Sequence, residues 1–354
     1  MASSVAYCTL VTTDGYVTAA LVLAKSLRDT GTRIPLAVLT TPHTVSPPAL
    51  ARLRVLFDLI LEVPPLGGGG GDDDACAASN LRNLALMGRP DLAATLTKLH
   101  LWSLTQFERV LYLDADTLVL RSLDPLLLLQ PPPPTPPGGL AASPELGFPD
   151  CFNSGVMLLA PDAGTHAALL RLAARTASFD GGDQGLLNMF FGDGPHAQQH
   201  HQQGRKASTG GMSDSADSGV ALGAGGQQEA EGEERTASPL GPVQEEVPAP
   251  LTISENHHHG GGGGGGSTWH RLSFTYNIEM HRVYRLYMPA ILRYRDEHKV
   301  LHFIGRDKPW HFADGMVDVS KDPSPYSRFY ADMVARWWRV RRSLPAGVDE
   351  ALST

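Results

Sequence analysis

The stretch "RVLYLDADTLVL", Arg109 to Leu120, decides how this chain is read. It is an apolar run of strand-like composition, interrupted by two aspartates one residue apart, Asp114 and Asp116. In a strand, side chains at i and i+2 share a face, so one continuous strand sets the two carboxylates side by side. Such a pair repels itself and is costly to bury unpaired. The run therefore predicts a positive charge between them, and a metal ion is the first candidate. Its remaining ligands must come from elsewhere in the chain.

Outward from this run, strand and helix patterns alternate. "AYCTLVT" (6–12) reads as a strand and "YVTAALVLAKSLRDTG" (16–31) as an amphipathic helix closed by Gly31. "IPLAVLTT" (34–41) is a strand, "PALARLRVLF" (48–57) a helix and "LILEV" (59–63) a strand. The helix "DLAATLTKLHLWSLTQ" (91–106) leads into the aspartate run. Beyond it come strand "GVMLLA" (155–160), helices "HAALLRLAARTA" (166–177) and "DQGLLNMFF" (183–191), and strand "KVLHFIG" (299–305). This alternation specifies an α/β domain with a largely parallel sheet. Ligands of such sheets bind at the carboxyl ends of strands. The aspartate pair sits at such an end.

Composition narrows the function classes. With 354 residues the chain can form one large domain or two ordinary ones. A net charge of −8 and a pI of 5.9 provide no global basic field for nucleic acid. Cys8, Cys76 and Cys151 are odd in number and far apart, which fits a reducing compartment better than a disulfide framework or a zinc site. The N-terminal residues do not have the layout of a signal peptide, and no run approaches the ~18 apolar residues of a membrane span. The expectation is a soluble, cytoplasmic protein.

Many of the 37 glycines and 27 prolines fall in inserts: "GGGGGDDDA" (67–75), "QPPPPTPPGG" (130–139) and a long tract over 195–267. That tract has almost no aromatic or β-branched content to bury and is expected to be disordered. The expected organisation is a catalytic domain over 1–194 and 268–325, the insertion over 195–267, and a terminal helix and tail over 326–354. That helix, "SRFYADMVARWWRVRRSL" (327–344), reads as a packed element with a solvated basic edge.

Several further pieces carry chemistry. His302 precedes a glycine at the end of a strand pattern, and an imidazole added to carboxylates shifts preference from magnesium towards manganese. Alone, it is an ordinary hydrogen-bonded histidine. "CFNSGV" (151–156) offers Asn153 and Ser154 at a strand entrance, suited to sugar hydroxyls. "SFDGGDQG" (178–185) arranges Asp180, Asp183 and Gln184 around two glycines; its simpler reading is a turn with Asp183 capping a helix. "GRDKPW" (305–310) sets Lys308 beside a Pro-Trp turn. Arg89 and Lys98, in "RPDLAATLTKLHLW" (89–102), are either ligand-binding cations or plain surface charge.

Taken together, "CTLVTTDGY", "LTKLHLWSLTQF", "LYLDADTLVL", "FPDCFNSGV", "SFDGGDQGLLN", "LSFTYN" and "HFIGRDKPW" make the chain resemble glycogenin and its relatives in family 8 of the retaining glycosyltransferases. The resemblance covers nearly all of 5–194 and 268–312, in order. It implies a GT-A fold, a single Rossmann-like domain with a mixed, mostly parallel sheet, and a manganese-dependent UDP-sugar site. By position, Leu10, Thr12, Thr13, Tyr16 and Arg89 would line the uridine pocket, Thr13 standing where the family usually has Asn. Asp114, Asp116 and His302 would hold Mn2+, with Ala115 at the ribose. Lys98, Asn153, Ser154, Asp180, Asp183 and Gln184 would surround the donor sugar, with Lys98, Asp183 and Gln184 closest to the chemistry. Gly305 and Lys308 would meet the diphosphate.

The resemblance implies transfer of a hexose, glucose first, from a UDP-sugar to a glucan or to a tyrosine of the chain itself. Tyr284 and Tyr287 are the acceptor candidates. Asp183 would serve either as nucleophile in a double displacement or as a group orienting the sugar for same-face attack. Other readings are a relative of galactinol-synthase or glucuronosyltransferase type, and a non-catalytic UDP-sugar-binding scaffold. A homodimer is open under all of them.

Overall fold

The opening run is divided between two sheets. The computed structural model describes residues 5–67, 75–128, 138–146, 151–192, 269–280, 286–346 and 348. Its larger sheet contains β1 (Val5–Val11), β2 (Leu36–Thr40), β3 (Leu59–Glu62), β4 (Arg109–Leu113), β6 (Leu140–Pro144), β7 (Phe152–Leu159) and β8 (Trp269–Arg271). The smaller sheet contains β5 (Thr117–Val119), β9 (Ile278–Glu279) and β10 (Val300–His302). The larger sheet runs β3-β2-β1-β4-β7-β6-β8 and the smaller β5-β10-β9. Pairing is parallel from β3 through β4, antiparallel on both sides of β7, and parallel again between β6 and β8.

The helices are α1 (Val17–Asp29), α2 (Pro47–Leu53), α3 (Ala75–Met87), α4 (Asp124–Leu128), α5 (Ala163–Ala173), α6 (Asp183–Phe191), α7 (Met288–Arg293) and α8 (Pro325–Arg342). Alternation along the strands assigns the two faces of the larger sheet. Leu111 and Leu113 of β4 face a core shared with α1 and α2, while Val110 and Tyr112 face a core with α5, α6 and the segment Thr95–Ser103. A third core joins the smaller sheet to α7 and α8 through Leu118, Phe303 and Trp337. Val334 and Trp337 are the buried side of α8, while Arg336, Arg339 and Arg342 remain exposed.

The break between β4 and β5 corrects the expected strand over 109–120. Asp114 donates its backbone N–H to Gly155 O of β7 (2.8 Å), and Thr117 N and Oγ1 both turn back onto Asp114 O at 3.1 and 2.8 Å. Phe303 N then donates to Asp116 O at 3.0 Å. The "DAD" tripeptide is thus the crossing from one sheet to the other, not part of a strand. His302 pairs opposite Thr117 in the smaller sheet, which delivers it to the aspartates.

Other differences have local causes. The α-helix expected over 91–106 is 3₁₀-helical, at Pro90–Leu92 and Thr95–Ser103. The tighter winding eclipses i and i+3, so Thr95 and Lys98 lie in one row on the cavity side. Thr97, off that row, is tied by Leu66 N to its Oγ1 at 3.0 Å. β7 starts at Phe152, earlier than expected, so Asn153 and Ser154 lie within the strand and not at its entrance. α5 starts at Ala163 because Asp162 caps it, accepting from Thr165 N at 2.6 Å. α3, α4, β6, β8 and α7 carry weak apolar periodicity or follow inserts, and the sequence reading has no counterpart for them. The tract 195–267, most of the two shorter inserts and Tyr284 lie outside the described residues.

Candidate active site

Both aspartates of the crossing divide their oxygens in the same way. Asp114 Oδ1 takes Lys98 Nζ at 3.1 Å and the Tyr112 phenol at 2.6 Å, while its Oδ2 lies 3.8 Å from His302 Nε2. Asp116 Oδ2 takes Lys308 Nζ at 2.5 Å, and its Oδ1 lies 3.4 Å from the same His302 Nε2. Each carboxylate therefore keeps one oxygen on a lysine and turns the other towards a single imidazole nitrogen. Burial raises the cost of the Asp116 charge, but the Lys308 ammonium outweighs it and holds its carboxyl well below the usual range.

This donor set fits a divalent transition ion. Ligand atoms of Asp114, Asp116 and His302 all lie within 4.8 Å of one another. His302 Nδ1 faces Asn277 Oδ1 at 3.1 Å, an acceptor, so Nδ1 carries a proton and the neutral ring would present its lone pair at Nε2. Carboxylate oxygen with neutral imidazole is a donor set that manganese accepts. Gly155 provides the seat: a Cβ there would meet His302 Nδ1 at 2.6 Å.

A second charged group lies along the same cleft. Lys98 is buried, which rules out the surface-charge alternative, and its Nζ sits 2.5 Å from Asp183 Oδ2. Burial works against its charge, yet Asp114 and Asp183 hold its pKa above that of a free lysine. Ser154 Oγ donates to Asp183 Oδ2 at 2.8 Å, and Ser154 N donates to Gln184 Oε1 at 3.2 Å. Asp183 is the first residue of α6; the cap is Gly182, so the expected alternative of an Asp183 cap does not occur. Asp180 serves that end instead, accepting from Gly182 N at 2.8 Å and Gly185 N at 2.9 Å. Burial keeps the Asp180 carboxyl above its ordinary range.

One cavity of about 270 Å³ collects most of the expected site residues. Asp114, Asp116 and His302, Ala115, Lys98, Asn153 and Ser154 line it together with Asp180, Asp183 and Gln184. Leu10, Thr12, Tyr16 and Arg89 line its other end. Thr13 and Lys308 line an adjoining cleft with Trp310 and His311; Tyr16 and Asp91 border both spaces. Gly305 lines neither, and lies half-buried in the turn after β10. The cavity alone is just under the ~300–1,000 Å³ of small-molecule sites, so an elongated ligand needs both spaces. Two arginines brace the turn above them: Arg89 Nη1 donates to Ile304 O at 3.1 Å, and Arg306 to Gly88 O.

Several residues around this cleft have no signature of their own in the sequence. Tyr112 and Asn277 stand inside the quoted motifs "LYLDADTLVL" and "LSFTYN", but nothing local says that they face Asp114 and His302. Asp91 forms an ion pair with Arg89 at 2.8 Å. Glu145 accepts from Asn153 Nδ2 at 2.8 Å and Gln184 Nε2 at 3.0 Å. Glu279 hydrogen-bonds Glu145; burial first, then that neighbouring charge, pushes its carboxyl well above the ordinary range. Tyr287 is half-exposed at the start of α7.

Comparison with known proteins agrees with this geometry. The profile of "Glycosyl transferase family 8" matches residues 7–135 and 141–314. Human glycogenin-1 is 32% identical over 337 residues, covering 95% of this chain and 71% of that protein. A glycogenin of Neurospora crassa is 32% identical over 334 residues, 94% of this chain but 34% of its own length. Glycogenin-1 of Oryctolagus cuniculus is 45% identical over 186 residues, 52% of this chain and 50% of that protein. The match thus spans only a third to a half of the last two. Among solved structures, the galactosyltransferase LgtC in complex with donor and acceptor sugar analogues aligns with a TM-score of 0.52 at 16% identity, over 98% of this chain and 99% of that one. That likeness concerns the fold alone.

Proposed function

Because this chain belongs to glycosyl transferase family 8 and has the GT-A fold of those glycosyltransferases, we propose that it transfers a hexose from a UDP-sugar with retention of configuration, in the manner its glycogenin relatives suggest. Glucose is the proposed hexose and Mn2+ the proposed ion. The observation that carries this reading is one cleft with a metal-type cluster, Asp114, Asp116 and His302, beside a buried Lys98–Asp183 pair.

The geometry supports the following division of labour. Leu10, Thr12 and Tyr16 offer an apolar and hydroxyl-bearing wall for a uracil and ribose, with Arg89 beside them. Asp114, Asp116 and His302 would hold the ion, whose charge stabilises the departing diphosphate. Lys308, paired with Asp116 in this structure, is a second cation at that end. A UDP leaving group departs without a protonated carboxylic acid, in contrast to glycoside hydrolysis. Asp183 Oδ2 is already engaged by both Lys98 and Ser154. We therefore read Asp183 as a group that orients the hexose and stabilises positive charge at its anomeric carbon, for attack on the same face. Asn153 and Gln184 line the same cavity and would reach that sugar.

A tyrosine of the chain is the proposed first acceptor, and the proposed setting is the cytoplasm; among the described residues no helix is long and apolar enough to cross a membrane. The test is intact-mass spectrometry of purified protein incubated with Mn2+ and a panel of UDP-sugars. Wild type should gain hexose units from UDP-glucose, and Tyr284→Phe or Tyr287→Phe should remove that gain. Donor hydrolysis without hexose on the chain would make the acceptor another molecule. Neither hydrolysis nor hexose with any UDP-sugar would leave the scaffold reading.

A further inference from the structure

We propose that Glu145 is a positioning residue: it holds the Asn153 and Gln184 amides in the direction that two backbone N–H groups give them and, through Asn153 and Asn277, supports the tautomer that His302 presents to a metal ion. This rests on the donor-site reading above and extends it to a residue that does not itself line the cavity.

Two backbone N–H groups anchor the polarity of the network, because an N–H can only donate. Gly155 N donates to Asn153 Oδ1 at 2.9 Å, so the Asn153 NH₂ must face the other way, towards Glu145 Oε2 at 2.8 Å. Ser154 N donates to Gln184 Oε1 at 3.2 Å, so the Gln184 NH₂ is likewise turned onto Glu145 Oε2, at 3.0 Å. One oxygen of Glu145 thus accepts from both amides.

The polarity then passes to the metal cluster. Asn153 Oδ1 accepts a second hydrogen bond, from Asn277 Nδ2 at 2.8 Å. With its NH₂ committed there, Asn277 can offer His302 Nδ1 only its carbonyl oxygen, at 3.1 Å. A neutral His302 then carries its proton on Nδ1, which leaves Nε2 as the lone pair facing Asp114 and Asp116. The other tautomer would put an N–H where a ligand is needed. Second partners of this kind typically alter metal affinity ~10–100-fold.

Asn153, Asn277 and His302 are all buried, so an amide left without its acceptor has no solvent to turn to. Replacing Glu145 by an apolar residue of similar size strands the Asn153 NH₂ group and frees the half-buried Gln184 to rotate. Glu145→Gln keeps an oxygen for both amides. Asn277→Leu cuts only the metal branch and leaves the Gln184 branch intact.

The experiment measures Mn2+ binding by titration, UDP binding without metal, and donor hydrolysis for wild type, Glu145→Leu, Glu145→Gln and Asn277→Leu. Near-ultraviolet circular dichroism checks folding. Glu145→Leu should bind Mn2+ at least tenfold more weakly and lose at least tenfold in kcat, with metal-free UDP binding within threefold of wild type. Glu145→Gln should stay within threefold on every measure. Asn277→Leu should repeat the Mn2+ loss alone and supplies that result if Glu145→Leu does not fold. Wild-type Mn2+ affinity in both Glu145→Leu and Asn277→Leu, or an equal loss of metal-free UDP binding, overturns the proposal. A wild type that binds neither Mn2+ nor UDP overturns the donor-site reading itself.

Discussion

Lys308 and Asp116 form a buried ion pair, Nζ to Oδ2 at 2.5 Å, between positions 192 residues apart. Phe303 O takes the same ammonium at 2.6 Å. The turn that follows β10 is thereby tied to the crossing between the sheets. It also changes what removal of Asp116 should do.

With a lysine already neutralising it, Asp116 does not chiefly repel Asp114, and Asp116→Asn brings little relief. It leaves a buried ammonium with weaker partners. Breaking a buried pair outright costs ~3–5 kcal/mol; asparagine keeps one acceptor, so about 2–4 kcal/mol is expected from urea unfolding. Addition of Mn2+ should raise the melting temperature of wild type, since binding to the native state stabilises it, and should not raise that of the variant. An equal Mn2+ shift in both would remove Asp116 from the metal site.

Gly155→Ala probes the seat of His302. Its new Cβ would press on a ring held by Asn277, so one of the two must shift. Overpacking of this kind typically costs ~1–3 kcal/mol, and Mn2+ affinity should fall at least tenfold while metal-free UDP binding persists. Unchanged Mn2+ affinity would mean that His302 is not a ligand.

Glu279→Gln should change how stability depends on pH. Folded Glu279 keeps its proton well above the ordinary glutamate value of 4.5, where the unfolded chain has lost it. Between those two values the native state binds more protons, so stability falls as pH rises; each unit of separation is worth about 1.4 kcal/mol. Glutamine has no proton to lose and still offers a donor to Glu145. The melting temperature of the variant relative to wild type should rise from pH 4.5 to pH 7.5. A constant difference would show that Glu279 ionises normally.

The sequence displayed the chemistry better than the architecture around it. Asp114, Asp116, His302, Asp183 and Gln184 sit in motifs with a local signature, and the structure brings them into one cleft. The split of Arg109–Leu120 was hidden because Thr117, Leu118 and Val119 continue the strand composition; only pairing with β10 shows where the first strand stops. α3 shows no apolar periodicity because it packs through Asn80 and Asn83, which bond Ser178, and buries only Leu84 among its apolar residues. Glu145 follows an insert and acts through hydrogen bonds to residues 8 and 39 positions away. No periodicity reports such contacts.

The most direct test of the central claim is UDP release from UDP-glucose by the purified protein, measured with Mn2+, with EDTA, and with Mn2+ restored after EDTA. The account predicts release with Mn2+, its loss in EDTA and its return on restoring the ion, with Asp116→Asn inactive throughout. Undiminished release in EDTA, or an active Asp116→Asn protein, would contradict it.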